Sequence, residues 1–187
     1  DNRGFMWFGT SNGLVRYDGY HCKIYQNYDE EPGGISYFSI CSLLNDSKGR
    51  LWIGTFARGL NRYDPIRNRF TSFAHNPVLP YSLSNSKIRS LFISHDNNLW
   101  IGTTEGNLNY LDFLSEPFMT WSHSSINKSS LSYSSVNAIL KESGDCIWIG
   151  TNGEGLIKIT FDESKSSQQV TNFRNNPDNE KTLSYNH

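Results

Sequence analysis

At 187 residues, with 36% hydrophobic and 14% aromatic side chains, the chain is long enough to bury the core of one folded unit. Its 17 Lys and Arg against 18 Asp and Glu leave a net charge of −1, and the basic residues are scattered, which excludes the footprint of a nucleic-acid binder. No apolar run approaches the roughly 18 to 20 residues of a membrane span, and no signal peptide opens the sequence.

From the first residue, Asp1-Asn2-Arg3-Gly4-Phe5-Met6-Trp7 reads as a turn running into a strand, and Trp7-Phe8-Gly9-Thr10 begins a phrase that returns three times. The later copies are Leu51-Trp52-Ile53-Gly54-Thr55, Leu99-Trp100-Ile101-Gly102-Thr103 and Ile147-Trp148-Ile149-Gly150-Thr151. By subtraction the tryptophans stand 45, 48 and 48 residues apart, a period that indicates stacked or radially arranged units. After each phrase come a short polar loop and a second run, such as Gly59-Leu60-Asn61-Arg62-Tyr63-Asp64. A third run carries spaced aromatics, as in Phe70-Thr71-Ser72-Phe73 or Phe118-Met119-Thr120-Trp121. Next, a loop leads through Ser82-Leu83-Ser84, Ser130-Leu131-Ser132 or Thr182-Leu183-Ser184, with Gly34-Ile35-Ser36 as a degenerate copy. Ile40 to Leu44, Ile88 to Phe92 and Val136 to Leu140 supply the last run of the unit.

These runs of about four to six residues are rich in β-branched and aromatic side chains and bounded by Gly, Asn, Asp, Pro and Ser. None sustains a helical apolar period. The fold class is all-β, and four strands per unit of this length predict a β-propeller of four-stranded antiparallel blades, about four repeats in all. The units run approximately over 1–35, 36–83, 84–131 and 132–187, within one domain 1–187. The first unit lacks the strand that should precede Met6, and the sequence stops where another would begin. The expectation is a fragment of a larger propeller, three complete units plus one short of a strand.

Blades covered on both sides explain why Leu51-Trp52-Ile53 does not alternate. Trp7, Trp52, Trp100 and Trp148 are therefore expected to be structural. Gly54, Gly102 and Gly150 are expected to give a neighbouring backbone or a large ring room to approach. An open arc of four blades would leave an apolar face at each end, so association into a homodimer or with further blades is expected.

Cys22, Cys41 and Cys146 occupy non-equivalent positions without CxxC spacing, so neither a disulfide framework nor a metal site is expected, and no cofactor. His75 and His123 share a repeat position with Asn27 and Asn175 and read as loop structure.

The phrase from Asp46 to Thr55, the run Gly59 to Asp64 and the spacer Asn76 to Ser84 resemble the two-component regulator propeller repeat, over essentially the whole chain. That resemblance implies a periplasmic sensor region of a Bacteroidetes hybrid two-component histidine kinase. It further implies two propellers, a small β-sandwich, a membrane helix and a kinase, with oligosaccharides released from glycans as the signal. The kinase lies outside these residues, so the fragment itself is expected to be no enzyme and to contact no nucleic acid. Blade topology places the second-to-third loops and the blade-to-blade segments on one face. Phe56, Arg58, Tyr81, Lys87 and Arg89 supply an aromatic platform and planar donors on or near it. The alternatives are a protein-interaction scaffold, and a carbohydrate-active propeller using Glu105 and Glu154 as its paired carboxylates.

Overall fold

The structure is a computed structural model that describes residues 1–26, 33–79, 81–113, 118–122, 130–131, 134–142, 145–162, 168–179 and 181–186. Asn27 and His123 lie outside the described residues.

Among the described residues, fifteen strands form four antiparallel sheets, each from consecutive strands. The first sheet has three: β1 (Met6–Thr10), β2 (Gly13–Tyr17) and β3 (Cys22–Tyr25). The second joins β4 (Ile40–Asn45), β5 (Leu51–Thr55), β6 (Leu60–Asp64) and β7 (Arg69–Phe73). In the third are β8 (Ile88–Ile93), β9 (Leu99–Thr103), β10 (Leu108–Leu111) and β11 (Phe118–Trp121), and in the fourth β12 (Val136–Lys141), β13 (Cys146–Thr151), β14 (Leu156–Phe161) and β15 (Gln168–Phe173). This is the all-β propeller architecture, with β4, β8 and β12 packed in succession against one another.

The recurring phrase sits in the middle of each sheet, and its residues part to opposite neighbours. Leu51 and Ile53 enter a cluster with Leu14 and Tyr25 of the first sheet, whereas Trp52 enters one with Ile88, Leu99 and Ile101 of the third. One sheet later Leu99 and Ile101 face the second sheet, and Trp100 faces Ile157 and Phe161 of the fourth. Side chains alternate across a strand, so a continuous apolar run is what a sheet covered on both faces requires. Trp52 and Trp100 are completely buried, while Trp7 and Trp148 are half-buried.

The glycine two residues after Trp7, Trp52 or Trp100 lies on the same face as that ring and receives a side chain from the next sheet. A Cβ at Gly54 would stand 2.6 Å from Ile88 Cγ2, and one at Gly102 would collide with Val136 Cγ1 and Ser90 Oγ. Gly9 holds Ile40 in the same way. What approaches is therefore a β-branched side chain, where the sequence suggested a backbone or a ring. Gly150 departs from this pattern, because its Cβ would meet only Ala138 Cβ, at 3.5 Å. Around it the outer face of the fourth sheet forms an apolar depression of about 360 Å³ between Leu140, Trp148 and Leu156.

Gly102→Ala is expected to cost about 1 to 3 kcal/mol by overpacking. Urea unfolding checks this, and a loss below about 0.5 kcal/mol would contradict a filled socket at this site.

The threonine ending each phrase closes the hairpin after it. Thr55 Oγ1 donates to the Gly59 carbonyl at 2.7 Å, and Thr151 Oγ1 to that of Gly155 at 2.8 Å. Inside the blades, buried Asn61 accepts from the Ser36 amide at 3.0 Å and Asn109 from the Ser84 amide at 2.9 Å, anchoring the segments that deliver Ile35 and Leu83 to the core. His75 Nδ1 lies 2.7 Å from the Leu83 carbonyl, and the Asn175 amide donates to the Leu183 carbonyl, so this shared repeat position is loop structure.

Candidate ligand-binding site

The hairpins after β5, β9 and β13 share one face with the segments that start β4, β8 and β12. Phe56 N donates to the Ser39 carbonyl at 3.0 Å, and Thr104 N to that of Lys87 at 3.2 Å. The turn continues with Arg58 N on Thr55 Oγ1 at 3.1 Å and Gly59 N on the Ser86 carbonyl at 2.7 Å. Gly59 takes φ +82°, and a Cβ there would run into the Phe73 carbonyl, so glycine is required. The last of these bonds carries the Phe56–Arg58 turn of the second sheet to Lys87 of the third. Phe56, Arg58 and Lys87 are exposed, and among the described residues neither cation has a carboxylate partner.

Arg89 joins them from a different direction. The register of β8 on β9 shifts between Ile88 and Ser90, and the same shift brackets Cys41 in β4 and Asn137 in β12. Such a bulge inserts one unpaired residue and re-aims its side chain. Arg89 Nε donates to Ser135 Oγ at 3.3 Å, and its guanidinium neighbours Cys41. Burial pushes the Cys41 thiol up, against the opposing pull of that charge.

Tyr81 stands apart from these four. Its carbonyl accepts from Phe118 N at 3.3 Å, where β11 begins, at the end of the blade opposite the hairpins. Glu154 forms an ion pair with Arg174. Glu105 lies in the equivalent hairpin of the third sheet. Among the described residues no group of His, Cys, Asp or Glu has the geometry of a metal site.

At that opposite end the structure assembles a feature the residue order did not disclose. A cavity of about 600 Å³ is bounded by the turn before β5, the turn between β6 and β7, and Gly33. Among the described residues, Lys48, Arg50, Arg62, Arg67 and Arg69 line it together with Asp64. Backbone and guanidinium N–H groups of Arg67 hold the Asp64 carboxyl below the usual carboxylate range, and Arg67 Nη1 lies 2.9 Å from Asp64 Oδ2. Gly33 has the place in the second unit that Tyr81 has in the third, its carbonyl accepting from Phe70 N at 2.8 Å. The only sequence signal was the density of basic residues between 48 and 69, divided there among three turns and strands.

The family model described as two component regulator propeller matches residues 33–57 and 82–105. Both matches span the segment ahead of an innermost strand, the strand itself and the phrase containing Trp52 or Trp100. No curated protein sequence matches the chain. Among solved structures, the chain resembles an extracellular domain assigned to the hybrid two component system BT3049 of B. thetaiotaomicron, with a TM-score of 0.83 and 24% identity over 92% of this chain and 23% of that one. An extracellular domain assigned to BT4673 of the same organism gives 0.76 and 20%, over 98% and 22%. The WD40 repeats of RRP9 give 0.61 and 11%, over 92% and 48%. At these identities the likeness establishes the fold. The chain spans about a quarter of the length of the first two.

Proposed function

From a chain that carries two-component regulator propeller repeats, we propose that these blades belong to the extracytoplasmic ligand-sensing region of a hybrid two-component system. The signal in this reading is an oligosaccharide derived from glycans, and the response is passed to a kinase elsewhere in the protein. The observation that carries the reading is the double family match, which falls on the same strand and phrase of two successive blades. It is supported by the hairpin face, where Phe56 offers an exposed ring and Arg58 and Lys87, without a carboxylate partner among the described residues, offer donors from neighbouring sheets. A saccharide laid across them would be stacked on one blade and hydrogen-bonded to two. Ligand bound across that seam would bias how the two blades sit, which is a physical route from binding to signal. In this reading the blades face the periplasm and the parent protein is anchored in the inner membrane.

A thermal-shift screen of the intact extracytoplasmic region against defined oligosaccharides tests it. A ligand present at 100 times its Kd is expected to stabilise the protein by about 2.7 kcal/mol. Arg58→Ala is expected to reduce that affinity about tenfold, equivalent to roughly 1.4 kcal/mol. The contrary result is that no oligosaccharide raises the melting temperature while a protein partner is captured, which would favour an interaction scaffold.

A further inference from the structure

We propose that Phe38, backed by Tyr37, is the stacking platform for the saccharide on the hairpin face, and that with Phe56 it selects an extended oligosaccharide whose sugars are joined through equatorial bonds. The inference rests on the saccharide-sensing reading above. It adds residues that hold the sugar and the shape of chain they take.

Equivalent positions in three successive sheets show what sets the second apart. Ser39, Lys87 and Ser135 correspond, because their carbonyls accept from the first residue of each hairpin, Phe56 N, Thr104 N and Asn152 N, at 3.0, 3.2 and 3.1 Å. One residue earlier stand Phe38, Ser86 and Ser134. Both serines serve their own loops: Ser86 Oγ accepts from His75 N at 3.0 Å, and Ser134 Oγ donates to the Asn152 carbonyl at 2.6 Å. Two sheets thus build this segment without a ring, and the second carries one that is 43% exposed. At the first hairpin residue, where the other sheets have Thr104 and Asn152, it has Phe56, 46% exposed. Large apolar groups left in solvent at two neighbouring positions, where sister blades carry polar ones, mark a contact surface.

The geometry suits a sugar. Phe38 and Tyr37 stack with centroids 4.3 Å apart and planes 28° apart, so Tyr37 covers one side of the Phe38 ring and holds it before any ligand arrives. Tyr37 is the less exposed of the two, so the surface that the pair offers to solvent is mainly that of Phe38. A pyranose is apolar where its axial C–H bonds point and polar around its equatorial rim, which matches an aromatic face bordered by donors. Arg58 in the same hairpin and Lys87 in the next sheet, both exposed, supply donors to that rim. Phe38 and Phe56 flank the hydrogen bond between Phe56 N and the Ser39 carbonyl, which fixes the two rings to one seam. Chains joined by β-1,4 bonds between equatorial positions run as flat ribbons and present successive sugars to such a pair, whereas an axial linkage coils the chain away from it.

Calorimetry on the intact protein tests the platform with tetrasaccharides of β-1,4-linked glucose, xylose and mannose, against the α-1,4-linked glucose tetrasaccharide. At least one of the three is expected to bind about tenfold more tightly than the α-linked control. Phe38→Ser, which installs the residue type that the third and fourth sheets carry, is expected to lower that affinity about tenfold and to leave the melting temperature of the free protein unchanged. Phe38→Trp and Tyr37→Phe are expected to retain the affinity, and Tyr37→Leu, which keeps bulk but removes the stack, to lower it. A lower melting temperature for Phe38→Ser with affinity retained would make the ring a packing element and overturn the platform. Tetrasaccharide affinity unchanged in both Phe38→Ser and Tyr37→Leu would likewise overturn it and leave saccharide sensing standing. Equal affinity for the α-linked and β-linked chains would overturn the selection of extended chains. Failure of all four tetrasaccharides to bind would overturn the platform, and the thermal-shift screen above then decides the sensing reading separately.

Discussion

Asp46→Ala is expected to destabilise the protein by about 3 to 5 kcal/mol, the range seen when one partner of a buried charged pair is removed. Asp46 is 4% exposed, and its two oxygens hold four donors. Oδ1 accepts from the amides of Lys48 at 3.0 Å and Arg50 at 2.9 Å, closing the turn into β5. Oδ2 accepts from the Trp52 indole at 2.9 Å and from the Arg50 guanidinium. Truncation leaves a buried indole N–H and a guanidinium facing a void, and each unmet donor adds its desolvation cost. Asp46→Asn, which keeps one acceptor, is expected to cost roughly half as much. A loss below about 1 kcal/mol in a urea melt of the Ala variant would show that the turn, and not this network, positions Trp52.

A carboxylate six residues upstream anchors Trp7 and Trp148 as well. Asp1 Oδ2 accepts from Trp7 Nε1 at 2.8 Å, and Glu142 Oε2 from Trp148 Nε1 at 3.0 Å. In the third unit the position is Ser94, too short to reach, and Trp100 Nε1 is buried without a partner among the described residues. That blade gives up a hydrogen bond and keeps its tryptophan by packing.

Much of the architecture was legible because the repeat writes it several times. The unbroken apolar run at Leu51-Trp52-Ile53 required cover on both faces, and the clusters on either side of β5 supply it. The short loops and β-rich runs required hairpins, and the registers follow the phrases residue by residue. Harder to read was anything that depends on which residue stands opposite which. The bulges at Cys41, Arg89 and Asn137 insert one residue against a partner strand, and a single strand's sequence carries no record of that partner. Gly54 and Gly102 were legible as sites of close approach, but the β-branched visitor comes from 34 residues further on, Ile88 and Val136. Of the candidate site residues, Phe56, Arg58 and Lys87 are joined through backbone bonds of the hairpin, which topology alone anticipates. Tyr81 is separated from them because its segment runs down the outer side of the blade to β11 before returning to β8. The basic cavity escaped notice since its lining is drawn from a preceding loop and two turns that meet only in three dimensions.

Trp100→Ala is the second large effect expected. The ring is 1% exposed and touches Tyr110, Trp121 and Phe161, with centroids 4.6, 5.5 and 5.5 Å away. Tyr110 and Trp121 belong to its own sheet and Phe161 to the next, so truncation opens a cavity between two blades. Burial of a Trp removes roughly 150 to 250 Å² from water, and at about 25 cal/mol per Å² this sets an upper limit of roughly 4 to 6 kcal/mol. No indole hydrogen bond is lost, so the expected cost is about 3 to 5 kcal/mol, the range for large core truncations. Trp148 occupies the same repeat position on the outer face of the fourth sheet. Its described ring contact is Phe173 of its own sheet, at 5.5 Å, and its indole N–H meets Glu142 in an exposed setting.

A urea melt of Trp100→Ala therefore tests whether the third and fourth sheets stand side by side with a filled seam between them. The expected result is a loss of about 3 to 5 kcal/mol. A loss of less than about 1 kcal/mol would contradict it.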